Sequence, residues 1–330
     1  CAGVFLAGIL QLVLLIFAVR RLGVHLTLKR PRSSPRVKRL LTLAIPGIAA
    51  GGITQINIVA GTIIASFWTG AVSHLYYADR LYQLPLGMVG IAIGVALLPD
   101  LSRRLRAKDV GGALWTQNRA LEFALMLTLP AAAALIVVPL ELVVVLFERG
   151  AFTREDAALT AAAVSAYGFG LPAFVLIKVF SPSYFAREDT KTPMIFAGIS
   201  MAVNVAGSIV LALMLAPDGL AHVGIAAATS LAGWVNAALL FIGLLRRGDF
   251  RADDVLYVRL SGFLAAALAV AIAAVVVAQF LDGWFFDKSL LHAGLALGAM
   301  VGASMVVFFA MAQVLGAIGV ADLWRALRRS

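Results

Sequence analysis

Asp79 and Arg80 lie side by side about a third of the way into 73–98, an apolar run long enough to cross a bilayer. At 1.5 Å rise per residue Arg80 falls roughly 10 Å below the start of such a helix. A charge at that depth costs on the order of 3 kcal/mol on insertion scales, so it persists only beside a partner or a wet cavity. Neighbouring helical residues point about 100° apart, which argues against Asp79 and Arg80 neutralising each other. Gln83 and Gly87 follow Arg80 at i+3 and i+7, with Gly90 and Gly94 beyond, so a helix would carry them on the arginine's face. Pro85 has no N–H to donate, which frees the Leu81 carbonyl and predicts a kink beside the charge. A guanidinium stays charged at every relevant pH and pairs with phosphate oxygens two at a time. The chemistry expected here is anion binding on a hinged, glycine-lined helix. The competing reading is that Arg80 snorkels to the outer surface.

Other apolar runs carry isolated polar groups. Lys178 lies in 158–185 with Gly168, Gly170, Pro172, Ser181 and Pro182, a composition that predicts a broken or kinked helix lining a pathway. It is about two turns from one end, so snorkelling and a cavity role both stay open. Thr54, Gln55 and Asn57 lie in 40–68, and Asn204 and Ser208 in 193–216; such side chains hydrogen-bond between helices at ~0.6 kcal/mol each. The candidate substrate-binding set is therefore Arg80, Gln83, Asp79, Asn57, Gln55 and Lys178, with Pro85, Gly87, Pro172 and Pro182 as hinges. No residue is assigned to catalysis. The P-loop, H-E-x-x-H and G-x-S-x-G patterns do not occur. His25, His74, His222 and His292 fall on different connections or span ends without ligand spacing, so no metal or other cofactor is expected. Asp253 and Asp254, flanked by Arg251 and Arg259, read as a solvated loop or helix cap.

These residues are positioned by membrane-length helices. The chain is 62% hydrophobic and only 13% charged, with a mean hydropathy of +0.97, against the roughly 25% charge of a soluble domain. An all-α polytopic membrane protein follows. About nine apolar spans can be read, at 1–19, 40–68, 73–98, 119–139, 158–185, 193–216, 220–245, 259–281 and 290–316. The run 1–19 is apolar from its first residue, as a chain beginning inside a helix would be. The single cysteine, Cys1, excludes a disulfide framework. The net charge of +10 would suggest nucleic acid in a soluble protein, but its distribution points elsewhere. Assigning connections alternately to two sides leaves only Arg149, Arg154 and Lys288 on one of them. Arg80 and Lys178 sit inside spans, and every other Lys and Arg falls on the opposite side. By the positive-inside rule that basic side, with the C-terminus, is cytoplasmic. No nucleic-acid partner is expected.

The loop 20–39 carries eight basic residues and no acid, and reads as a cytoplasmic linker able to lie on anionic lipids. The segment 140–156 predicts a short interfacial helix, a turn at Gly150 and a Thr153 cap in the pattern T-x-x-D. Gly294, Gly298 and Gly302 form a small-residue stripe suited to close packing. The tail 322–329 reads as an amphipathic helix anchored by Trp324.

Four stretches carry a resemblance, in order and spacing: PGIAAGGITQINIVAGTIIASF (46–67), YYADRLYQLPLGMVGIAIGVALLPDLSR (76–103), LFERGAFTREDA (146–157) and KVFSPSYFAREDTKTP (178–193). Together they are similar to the MurJ/MviN family of lipid II flippases, in the MATE-like MOP exporter superfamily. The resemblance implies about fourteen helices in two lobes, this chain matching the later nine and lacking most of the N-terminal lobe. The implied organisation is a last helix of that lobe at 1–19, a linker at 20–39, a six-helix C-terminal lobe at 40–245, and two further helices with a tail at 246–330. It also implies transport of lipid II, an undecaprenyl-pyrophosphate-linked muropeptide, by alternating access across the bacterial inner membrane. Cell-wall synthesis proteins are implied as partners. An arginine matching Arg80 would belong to a cationic central cavity. Many members have an acid where Gln83 stands. Relatives with a sodium site have acids where this chain has Gly61 and Ser208, which speaks against sodium here. The last two helices would form a groove for the isoprenoid tail. The alternatives are another exporter of the superfamily, or a membrane scaffold of cell-wall assembly.

Overall fold

Helices start where a side chain can satisfy the free N–H groups of a first turn, and the computed structural model shows this at several starts. It describes residues 2–21, 52–53, 55–286 and 289–317. The basic linker beyond Arg21 and the tail helix with Trp324 lie outside the described residues. The chain divides into two compact units, Cys1–Thr42 and Leu43–Ser330. The first contributes α1 (Ala2–Arg21), which ends on Arg20 and Arg21, cations suited to a helix C-terminus.

The second unit is also wholly helical among its described residues. Its elements are α2 (Gln55–Ala65), α3 (Ala71–Arg106), α4 (Val110–Val137), α5 (Pro139–Phe147), α6 (Arg154–Phe185), α7 (Lys191–Leu215), α8 (Ala221–Arg247), α9 (Asp254–Phe280), α10 (Asp282–Phe285) and α11 (Leu290–Val314). Among the described residues, α4, α6, α7, α8, α9 and α11 are long and apolar enough to cross a membrane. Asp109 caps α4 and Asp253 caps α9, each accepting a backbone N–H at 2.8 Å. Thr153 and Asp156 close the expected capping box at α6, preceded by the short α5 and by Gly150 at φ +62°. The hydrogen bonds from the Thr153 backbone and hydroxyl hold the Asp156 carboxyl below the usual carboxylate range.

α6 is the axis of the bundle. It packs against α3, α4, α5 and α8, with Leu171, Val175 and Val179 fully enclosed. α7 lies on α8, α9 on α4, and α11 on α9. Pro172 and Pro182 lie inside α6 and Pro85 inside α3, yet both helices run unbroken. Of the break or kink expected in 158–185, no break occurs. Each proline removes one backbone hydrogen bond, whereas α6 is clamped on four sides, and the Tyr184 hydroxyl donates to the Leu240 carbonyl at 2.7 Å just beyond Pro182.

The glycine stripe of α11 also departs from expectation. Ala293, Ala296 and Met300 form the buried face, packed with Ala274 and Ala278 of α9. Gly294, Gly298 and Gly302 sit one position further round the helix and face open space.

Side-chain contacts sort the connections into two ends, in the alternation read from the charges. At one end Arg187 pairs with Asp249 at 2.9 Å, and Arg247 with Asp189 at 2.7 Å. There Glu122 of α4 lies 2.8 Å from both Arg119 and Arg259, a bridge to α9. At the other end Arg154 lies over the Phe286 ring, and His74, Thr160 and His222 meet.

Candidate functional site

A cavity of about 550 Å³ lies between α2, α3, α6, α7 and α8 of the second unit. α3 contributes Val72, Leu75, Tyr76, Asp79, Tyr82, Gln83 and Leu86, steps of three and four that trace one helical face. Asp79 accepts a hydrogen bond from the Gln83 amide. Among the described residues it makes no ion pair with Arg80, as their 100° separation predicts. The Tyr82 ring sits 4.8 Å from Tyr167 and 5.4 Å from Phe174, a polar-tipped aromatic wall. Gly233 makes that wall possible, since a Cβ there would lie 2.5 Å from the Phe174 ring.

The opposite wall carries a neutral hydrogen-bonded network. Asn204 donates to Asn57 at 2.9 Å, while Ser208 and Thr229 each donate to the Asn204 carbonyl oxygen at 3.2 Å. These contacts join α2, α7 and α8, and among the described residues no carboxylate takes part in them. Lys178 and Asn236 of the lining each carry an uncommitted group among the described residues. Lys178 is exposed and has no ion pair, and the buried Asn236 Oδ1 has no hydrogen-bond partner.

Asp79, Gln83, Asn57 and Lys178 are thus brought to one cavity, and two other candidates are not. Gln55 is exposed and outside the lining. Arg80 is also exposed and outside it, with its guanidinium 4.6 Å from the ring centroid of Tyr76, itself a lining residue. The face of α3 that meets the cavity is centred on Asp79, one residue round from the face read off Arg80. Gly87, on that other face, is exposed and does not line the cavity. Asn236, Tyr82 and Tyr167 were not singled out from sequence; a lone Asn in the apolar stretch GWVNAALLF was the available signal.

Beyond the apolar run, α3 ends in a charged clamp. Asp100 accepts from Arg104 Nε at 2.9 Å and from the Thr116 hydroxyl of α4 at 2.8 Å, and also from Arg103. The Arg104 and Thr116 hydrogen bonds hold its carboxyl down at about 2.

Among the described residues the second unit is a helical bundle around a mixed polar and apolar cavity, a fold shared with solved membrane transporters. A solved multidrug resistance MATE family transporter of the MOP superfamily, in an outward-facing conformation, shares the fold at a TM-score of 0.51 and 17% identity, over 85% of this chain and 64% of that one. A solved structure described as lipid II flippase MurJ, inward closed conformation, matches with a TM-score of 0.64 and 24% identity, over 87% of this chain and 56% of that one. The family model described as "Lipid II flippase MurJ" matches residues 1–295, and the chain belongs to that family. Relatives named probable lipid II flippase MurJ include one from Rhizobium meliloti, 48% identical over 99% of this chain and 60% of its own length. Another, from Rhizobium tropici, is 43% identical over 99% of this chain and likewise 60% of its own length. The chain thus spans about three fifths of these curated relatives.

Proposed function

We propose that this chain supplies one lobe of a flippase that carries lipid II from the cytoplasmic to the periplasmic leaflet of the bacterial inner membrane. The observation that carries this is the cavity itself: an uncommitted ammonium, Lys178, and an uncommitted carbonyl oxygen, Asn236 Oδ1, in a chamber of mixed polar and apolar lining. A pyrophosphate offers acceptors to Lys178, and the sugar or peptide of a muropeptide offers donors to Asn236. Arg80, against Tyr76 at the flank of the cavity, would offer the same phosphates a second cation. The Asp79–Gln83 hydrogen bond fixes the two side chains on the cavity face of α3, and Pro85, Pro172 and Pro182 mark where α3 and α6 can flex. Rocking of two lobes about this site exposes it to each leaflet in turn. The C-terminus faces the cytoplasm, by the distribution of basic residues. The reaction is transport without catalysis. With no nucleotide-binding pattern in the chain, the drive is an ion gradient or the membrane potential, the latter supplying about 2.3 kcal/mol per unit charge and 100 mV.

The test is complementation of flippase-depleted bacteria by a chimera that completes this chain with the remainder of the Rhizobium meliloti relative. The chimera is expected to support growth and this chain alone is not. Arg80→Ala should abolish complementation, and Arg80→Lys should retain little of it. Full growth with Arg80→Ala would remove the arginine from the anion site.

A further inference from the structure

His74 and His222 come from different helices, yet their rings lie 5.3 Å apart, and both residues are almost fully buried. They sit where the N-terminal ends of α3, α6 and α8 converge. His74 Nδ1 is 3.3 Å from the hydroxyl of Thr160, which is itself 0% exposed, and the His74 ring fills the space above Gly70, whose φ of +76° starts α3. His222 Nε2 is 2.9 Å from the Leu159 carbonyl. A carbonyl only accepts, so Nε2 carries the hydrogen, and in the neutral ring Nδ1 is bare. The titratable groups acting on the pair are few. Burial acts on both rings ahead of any charge; Asp156 of α6 acts on His74, and His74 acts on His222. Among the described residues no group of three or more His, Cys, Asp or Glu is placed to hold a metal, so the ligand this pair fits is a proton.

We propose that His74 and His222 form a one-proton site that latches this end of the bundle, closed when both rings are neutral and released when one is protonated. Two imidazolium ions this close in a buried site repel strongly, so the pair takes a single proton. That proton comes from hydronium at the bundle end: one O–H bond breaks, leaving water, as an N–H bond forms at a bare ring nitrogen. The new cation then faces the positive ends of α3 and α8, which it repels. It is drawn toward Asp156, the carboxylate that caps α6 through Thr153. Releasing α3 moves the same helix face that carries Tyr76 and Asp79 into the cavity. By the charge distribution this end is periplasmic, so the latch would sense the outside pH. That last step rests on the transport reading, whereas the proton site rests on the pair's geometry alone.

The test uses the full chain in lipid nanodiscs. Histidine ring carbons are followed by NMR from about pH 8 to about pH 5. Trp68, half-buried beside Ala71 and Ala221, reports on the latch through acrylamide quenching, with Trp115, Trp234, Trp284 and Trp324 changed to Phe. The pair should bind one proton in this range, and the Trp68 quenching constant should rise roughly twofold on the same curve. His74→Gln and His222→Gln should each remove the rise. Rings that stay neutral to pH 5, or that titrate while quenching stays flat, overturn the proposal. The wild-type titration needs no variant to fold, and neither readout involves lipid II, so failure of the transport reading would leave this result standing.

Discussion

Lys178 and Asn236 leave a donor and an acceptor of the cavity wall uncommitted, and a ligand is the simplest thing to complete them. Lys178 could be picked out in the sequence because a lone cation in an apolar run is costly. Its direction could not, because snorkelling and cavity-lining share one spacing. Asp79 and Arg80 show the same limit, since adjacent residues differ by 100° and burial cost alone does not say which of them faces inward. The structure turns Asp79 to the cavity and Arg80 onto Tyr76. The Asp100 clamp was invisible for a different reason, as Thr116 reaches it only after α3 and α4 fold back on each other. It has a defined pH signature. The carboxyl is depressed from 3.8 to about 2 in the folded protein, so its stabilisation is complete above the ordinary value and is lost as pH falls through about 2. Thermal unfolding should therefore show Asp100→Asn less stable than the parent from neutral pH down to about 4, with the gap closing in stronger acid. A gap that stays constant through acid would detach Asp100 from the clamp.

At the scale of elements, helix starts were more legible than helix continuity. T-x-x-D at 153–156 is a local pattern, and the capping box forms as written. Prolines are local too, but whether a helix breaks at them depends on what surrounds it. α6 is held by α3, α4, α5 and α8 and runs through Pro172 and Pro182. The contact of α7 with α8 had no local signature. A Cβ at Gly224 would lie 2.5 Å from the Leu211 carbonyl carbon and 2.6 Å from its oxygen, both backbone atoms that cannot rotate away. Gly224→Val should therefore force the two helices apart and cost about 1–3 kcal/mol, read as a lower unfolding temperature in detergent. An unchanged transition would mean that the helices are not held at this distance.

At the scale of the whole molecule, alternation of basic and base-poor connections ordered the helices before any contact was known, because each span must reverse direction. The ion pairs among Arg187, Asp249, Arg247 and Asp189 gather the basic connections at one end. Which leaflet that end faces is open to direct measurement. With Cys1 replaced by Ser, Ala151→Cys should react with an impermeant maleimide in intact spheroplasts, and Ala107→Cys only after lysis. The reverse pattern would invert the proposed orientation. The central claim is that the cavity receives the pyrophosphate end of lipid II, and binding tests it most directly. The completed chimera, reconstituted in nanodiscs, should bind lipid II at least roughly tenfold more tightly than its Lys178→Ala form, a difference of about 1.4 kcal/mol. Equal affinities for the two would contradict the account.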